Sequence, residues 1–225
     1  MATAKTSKKA GKPTKNILIV DDHPIVRQGI QRLLEQEPGM RIHAEAGSAA
    51  EALTALRSLK PDAAIIDISL PGTDGLELTK MIRAERPDLP ILVLSMHDES
   101  LYAERVLRAG ANGYLMKQEV AEKIIPAMRK VLNGEIYLSD RAGQRILRDV
   151  SGRAGRTDKP SIEKLSDREL EVLRRIGQGQ GTRQIAEQLH LSVKTIETYR
   201  AHIKEKLNLK NATELIRFAV QWAEK

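Results

Sequence analysis

The sequence contains no cysteine. Disulfide staples, thiolate metal sites and cysteine nucleophiles are therefore excluded together. Aromatic residues are scarce, at one Phe, one Trp and four Tyr among 225 residues, so any core must be aliphatic and alanine-rich. No apolar run approaches the roughly 20 residues that a membrane helix requires. The start is rich in lysine and lacks the apolar stretch of a secretory signal, so a reducing cytoplasm is the expected location, with no membrane partner. No G-x-x-x-x-G-K-[ST] loop occurs, which disfavours a nucleotide-driven ATPase. What remains is 41% hydrophobic and 30% charged, a balance that supports packed cores. The length suggests two modest domains.

The formal charge of +7 is unevenly spread. Residues 1 to 15 hold five lysines and no acid. Their Lys, Ala, Thr, Ser and Gly offer too little apolar surface to offset the entropy of ordering, so 1–15 reads as a disordered basic arm. Residues 16 to 150 carry 17 basic and 20 acidic side chains, and residues 151 to 225 carry 15 and 10. A basic excess on the last segment is compatible with nucleic acid, and equally with a solvated surface.

From Asn16 the chain alternates short apolar runs with amphipathic stretches. Ile17–Val20, Arg41–Ala46, Ala63–Asp67, Ile91–Leu94 and Gly113–Met116 read as strands. Helices are expected at 25–36, 49–59, 76–85, 101–109 and 120–132. Five such units predict an α/β doubly wound, five-stranded parallel sheet of the flavodoxin-like kind over residues 16–135. Residues 136–160, with Gly143, Gly152, Gly155 and Pro160, read as a linker holding one short helix near 141–148. Beyond it the pattern is all-α. Ser166 and Glu169 form a capping box for a helix to Ile176. Thr182 can cap a short second helix, Ser192 a third through Leu207, and 212–222 gives a fourth. The expectation is a separate four-helix, helix-turn-helix domain over 161–225.

In a parallel sheet, ligands bind beyond the carboxyl ends of the strands. There the sequence places Asp21, Asp22, Asp67, Ser95 and Lys117. Crowded carboxylates repel, and a hard cation such as Mg²⁺ would relieve them. One aspartate could then act as a nucleophile towards phosphorus, with a hydroxyl and an ammonium holding the phosphoryl oxygens. Any one of these residues alone is as well explained by a cap, a turn or a solvated surface.

In the last segment, stepping the third helix by 100° puts Val193, Ile196, Ile203 and Leu207 on one face. Tyr199 and Arg200 lie at its edges. Lys194, Thr198, Ala201 and Glu205 fall opposite, with Glu197 and His202 on the shoulders. Such a helix suits the DNA major groove, with Arg200, Lys204, Lys206 and Lys210 placed to meet phosphates. An ordinary solvated face in a helical bundle has the same periodicity.

Two stretches carry a family resemblance. Asp21-Asp22, the run Asp67-Ile68-Ser69-Leu70-Pro71-Gly72-Thr73-Asp74-Gly75, Ser95 and Gly113-Tyr114-Leu115-Met116-Lys117 resemble a response-regulator receiver domain. Leu165–Leu173, Ile185–Leu189 and Ser192–Thr198 resemble the LuxR-type DNA-binding domain. Together they resemble the NarL/FixJ family of two-component response regulators. The resemblance implies Asp67 as phosphoacceptor, and Mg²⁺ held by Asp22, Asp67 and the Ser69 backbone carbonyl, with Asp21 acting through water. It implies that Ser95 and Lys117 contact the phosphoryl group, and that Ser95 and Tyr114 form the switch. In the reader, Lys194, Thr195, Glu197, Thr198, Arg200, Ala201, His202 and Lys206 would meet DNA. The expected partners are a sensor histidine kinase, double-stranded DNA and a second copy of the chain. Pairing through Leu215, Ile216, Ala219 and Val220 and plain core packing both fit the fourth helix.

The expected product is a transcription factor, an enzyme only in its own phosphorylation and dephosphorylation. Three departures stand out. Gln118 replaces the proline common after the lysine, so a trans bond is expected. Met96 is bulkier than usual, and Tyr199 stands where His is common. A phosphatase with an aspartyl nucleophile is disfavoured, because Ser69 occupies the position of its acid/base. A phosphate-independent dimer module is a third reading, opposed by the complete acidic set.

Overall fold

The structure is a computed structural model, and it describes residues 14–96, 99–150 and 162–223. Five parallel strands, β1 (Lys15–Val20), β2 (Met40–Ala46), β3 (Ala63–Asp67), β4 (Ile91–Ser95) and β5 (Gly113–Met116), form one sheet in the order β2-β1-β3-β4-β5. β1 begins at Lys15, inside the stretch read as a disordered arm, and the Lys15 amide donates to the Gly39 carbonyl. Residues 1–13 of that stretch lie outside the described residues.

Helices α1 (Pro24–Glu35), α2 (Ala49–Leu59), α3 (Gly75–Glu85), α4 (Glu99–Arg108) and α5 (Val120–Leu132) follow the strands in turn. β3 and β4 are buried throughout, which explains their unbroken apolar sequences. The two faces make two cores. Leu18, Val20, Ile66 and Val93 pack on one side, and Ile17, Ile19, Ile65 and Leu94 on the other. The order reverses at β1 and β3, so their carboxyl ends border the crevice where such sheets take ligands.

The expected linker helix is α6 (Asp140–Val150), which lies against α4. The last segment folds into α7 (Asp167–Gly177), α8 (Thr182–Gln188), α9 (Val193–Lys206) and α10 (Ala212–Ala223). The capping box at Ser166 and Glu169 is present as read. The cap of α8 is not Thr182 but Gly181, whose amide donates to Gln184 Oε1. The Thr182 hydroxyl instead donates to Glu197 across the turn. Ser192 caps α9 through the Thr195 amide.

The helical unit rests on the carboxyl-end side of the sheet. Tyr102 of α4 and Leu70 of the β3–α3 loop are almost completely buried, in a cluster continuous with Leu165 and Leu170. Arg105 of α4 donates to the carbonyls of Leu165 and Ile162 and to Asp167.

Helix α3 starts hard against the end of β3. Asp74 caps it, and the Gly75 amide donates to the Ile68 carbonyl. A Cβ on Gly75 would lie 2.0 Å from the Asp67 carbonyl oxygen, so no side chain fits without moving that strand end. Gly75→Ala should cost roughly 2 kcal/mol or more, as overpacking against rigid backbone does. Urea denaturation of the variant checks this, and an unchanged midpoint would contradict it.

Candidate functional site

At the switch point, β1 runs into Asp21 and Asp22, β3 ends at Asp67, β4 ends at Ser95, and β5 is followed by Lys117. All five therefore meet at one rim, as the sequence implies. Asp21 and Asp67 are each 1% exposed, and Ser95 is fully buried. The Lys117 ammonium lies 2.7 Å from Asp21 Oδ2 and 2.9 Å from Asp67 Oδ2, so a single cation bridges two buried anions. Ser69 stands two residues beyond Asp67 in the loop leading to Asp74. Its backbone amide hydrogen-bonds to the Asp67 carboxylate.

The electrostatics follow from this crowding. Burial pushes the Asp67 carboxyl above its ordinary range; Lys117 opposes that, and the Asp21 charge adds to it. For Lys117, burial works against the charged form. The two carboxylates outweigh it and raise the ammonium above its usual value.

Asp21 Oδ2, Asp22 Oδ1 and both Asp67 oxygens are buried side by side, facing the Lys117 ammonium, the His23 ring and the Ser69 amide. Donor atoms of Asp21, Asp22, Asp67 and His23 lie within 4.8 Å of one another. Three carboxylates gathered against one ammonium make a hard-oxygen set that fits a divalent cation such as Mg²⁺.

Sequence reasoning missed two residues here. His23 caps this rim, its Nδ1 2.7 Å from Asp22 Oδ1 and its backbone amide bonded to Asp21 Oδ1. Arg27 donates to the Asp21 carbonyl. His23 follows the aspartate pair directly, which was signal enough; Arg27 offered none. Tyr114 is buried on β5, and Met96 is 59% exposed beside the pocket. The described peptide bonds are all trans, including the one before Gln118.

In the helical unit, Ile196, Ile203 and Leu207 are buried as expected, but Val193 is 45% exposed and does not join them. As the first residue of α9, it lies beyond the end of the packed face. Lys194, Thr198 and Ala201 are exposed along one stripe; Glu197, His202 and Lys206 are exposed too, and Thr195 and Arg200 half-buried.

Several of these have intramolecular work. Thr195 shares a hydrogen bond with Ser192, and Glu197 accepts from Thr182. Lys206 Nζ lies 2.7 Å from the buried Glu169 carboxylate, and His202 Nδ1 lies 3.6 Å from it. Burial alone would raise the Glu169 carboxyl, but Lys206 and Ser166 together hold it below its ordinary value. On α10, Leu215 and Ala219 are core, Val220 is half-buried, and Ile216 is 46% exposed.

A doubly wound sheet with an acidic pocket at its switch point, joined to a helix-turn-helix bundle, defines a two-part regulator. Comparison with known proteins makes the class specific. Residues 17–129 match the response regulator receiver domain, and residues 163–219 match the bacterial regulatory proteins of the luxR family. Response regulator UvrY of Escherichia coli is 37% identical over 207 residues, spanning 92% of this chain and 94% of its own. The oxygen regulatory protein NreC of Staphylococcus carnosus is 38% identical over 210 residues, spanning 91% and 96%.

Among solved structures, RcsB from Salmonella enterica serovar Typhimurium is similar. Bound to promoter rprA in the presence of phosphomimetic BeF3-, it has a TM-score of 0.60 at 30% identity, covering 92% of this chain and 98% of that one. The chain belongs to the NarL/FixJ family of response regulators: it is a response regulator with a receiver and a LuxR-type DNA-binding domain. No helix among the described residues is long and apolar enough to cross a membrane.

The raised Asp67 carboxyl has a consequence for stability. The folded chain holds this proton to higher pH than the unfolded chain, so above about pH 4 its ionisation opposes folding. Asp67→Asn should therefore raise Tm at pH 7 in EDTA, measured by thermal melting. A lower Tm would show that the Lys117 pair outweighs burial.

Proposed function

We propose that Asp67 accepts a phosphoryl group from a sensor histidine kinase, and that this controls sequence-specific DNA binding by α9. The observation that carries the reading is the Lys117 ammonium, held between Asp21 and Asp67. A cation fixed there in advance can meet the negative charge that develops as a phosphoryl group arrives. Asp22, Asp67 and the Ser69 carbonyl would hold Mg²⁺, with Asp21 acting through water, and the metal would neutralise the phosphoryl oxygens. Asp67 supplies the nucleophilic oxygen, and the phosphohistidine imidazole is the leaving group. The Ser95 hydroxyl and Lys117 contact the transferred group.

Repacking of Ser95 and Tyr114 is the proposed switch, a two-state change that phosphorylation biases. Catalysis by this chain is limited to its own phosphorylation and dephosphorylation. The division that fits is a basic arm ending before Lys15, the first residue of β1, a receiver to residue 135, a linker over 136–160 and a reader over 161–225. The exposed stripe of Lys194, Thr198 and Ala201 supports groove reading. The chain would pair with a second copy when phosphorylated or DNA-bound, and the exposed Ile216 on α10 supports that face. The protein would act in the cytoplasm.

Incubation with acetyl phosphate and Mg²⁺ should add one phosphoryl group, seen by mass spectrometry, and Asp67→Asn should abolish it. Equal labelling of the variant would sink the assignment. Binding to DNA should weaken steeply with salt. Swapping Thr198 or Lys194 should change the preferred sequence in a selection experiment. An unchanged preference would remove α9 as the reader.

A further inference from the structure

Two arginines join the helical unit to the sheet unit from opposite sides. Arg105 points outward from α4 to the entry of α7, 2.7 Å from the Leu165 carbonyl and 2.9 Å from Asp167. Arg168 points the other way. Its Nη2 donates to the Leu70 carbonyl at 3.2 Å and to the Gly72 carbonyl, and its Nε lies 3.5 Å from Asp74 Oδ2. Both partners of that last pair are largely buried, at 14% and 13% exposure.

The loop that Arg168 grips is the one that carries Ser69, so the peptide it fixes is the next one along from the proposed metal-binding carbonyl. Asp22 and Ser69 line the same cleft as Arg168, Arg175 and His190 of the helical unit. The docked face thus sets arginines of a basic segment beside the acidic rim of a net acidic one.

We infer that docking of the α7 amino-terminal turn on the Ser69 loop and binding of a divalent cation in the acidic pocket are mutually antagonistic. This rests on the reading of the pocket as a Mg²⁺ site. Two effects act in the same direction. A dication at Asp22 and Asp67 adds like charge on the side of the cleft that faces Arg168, where water screens little. Recruiting the Ser69 carbonyl also shifts the peptide whose neighbour Arg168 holds. Coupling between two binding events is reciprocal: whatever factor the metal takes from docking, docking takes from the metal. Release of the helix-turn-helix unit therefore makes the pocket a tighter cation site, by a route through the loop that bypasses Ser95 and Tyr114.

Calorimetric titration of Mg²⁺ into the full chain, Arg168→Ala and Arg105→Ala, without phosphodonor, tests this. Arg105 touches neither the loop nor the pocket, so its variant loosens docking alone and also serves if Arg168→Ala folds poorly. Both variants should bind Mg²⁺ about fivefold or more tightly than the parent, the lower end of ordinary allosteric coupling. Saturating Mg²⁺ should also raise the radius of gyration of the parent in small-angle scattering and leave the double variant unchanged. Equal or weaker affinity in both variants overturns the inference. Tightening confined to Arg168→Ala would trace the effect to local charge alone and overturn it too. Absence of Mg²⁺ binding in every chain, the parent included, would instead reject the pocket as a Mg²⁺ site.

Discussion

Two carboxylates pressed together at the ends of adjacent strands would not persist in a protein interior without a cation between them. Lys117 supplies it. Its ammonium is within 3 Å of both Asp21 and Asp67, each almost wholly shielded from water. Removing Lys117 would leave two buried carboxylates uncompensated, which is far costlier than exposed charge. The architecture serves this arrangement. β1 and β3 bring the aspartates side by side, β5 delivers the lysine from the far edge, and Gly75 lets α3 start close enough to close the loop over the pocket. Asp67 is left with more negative environment than one ammonium relieves. That is the condition under which a metal ion and a phosphoryl group can both be taken up.

The pocket is also where the two halves of the chain meet. Arg168 anchors the helical unit on the loop immediately after Asp67, and Arg105 anchors it on α4. The rim therefore has a direct mechanical path to the DNA-binding unit, in addition to the proposed switch at Ser95 and Tyr114. The stripe of α9 proposed to read DNA is exposed in this arrangement, so docking does not bury Lys194, Thr198 or Ala201 in the protein interior. Lys206 has a second task within its own unit. It neutralises Glu169, whose carboxylate completes the α7 cap, and so ties the end of the reading helix to the start of α7.

Much of this was legible in the sequence, because it follows from short-range pattern. A short apolar run such as Ala63–Ile66, too brief for a helix and followed by a Pro-Gly turn, reads as a strand buried on both faces. An aspartate at the end of such a run must sit on the rim, so the meeting of Asp21, Asp22, Asp67, Ser95 and Lys117 follows from topology alone. Ser166 and Glu169 announced a helix start by their spacing. What could not be read depends on contacts without periodicity. An arginine that hydrogen-bonds backbone carbonyls, as Arg168 does, leaves no trace in the spacing of residues. The choice of Gly181 over Thr182 as a cap turned on where the Thr182 hydroxyl found its partner, Glu197, fifteen residues on. Val193 fits the packed face by angle, yet the bundle does not extend far enough to cover it.

The proposed regulation makes the state of Asp67 set the strength of DNA binding at the other end of the chain. Its most direct measure is the affinity of the full chain for a duplex chosen by in vitro selection, at fixed salt and Mg²⁺, with and without acetyl phosphate. The phosphodonor should change that affinity in the parent and leave Asp67→Asn unaffected. An affinity indifferent to phosphodonor in the parent, or a response that survives in Asp67→Asn, would contradict it.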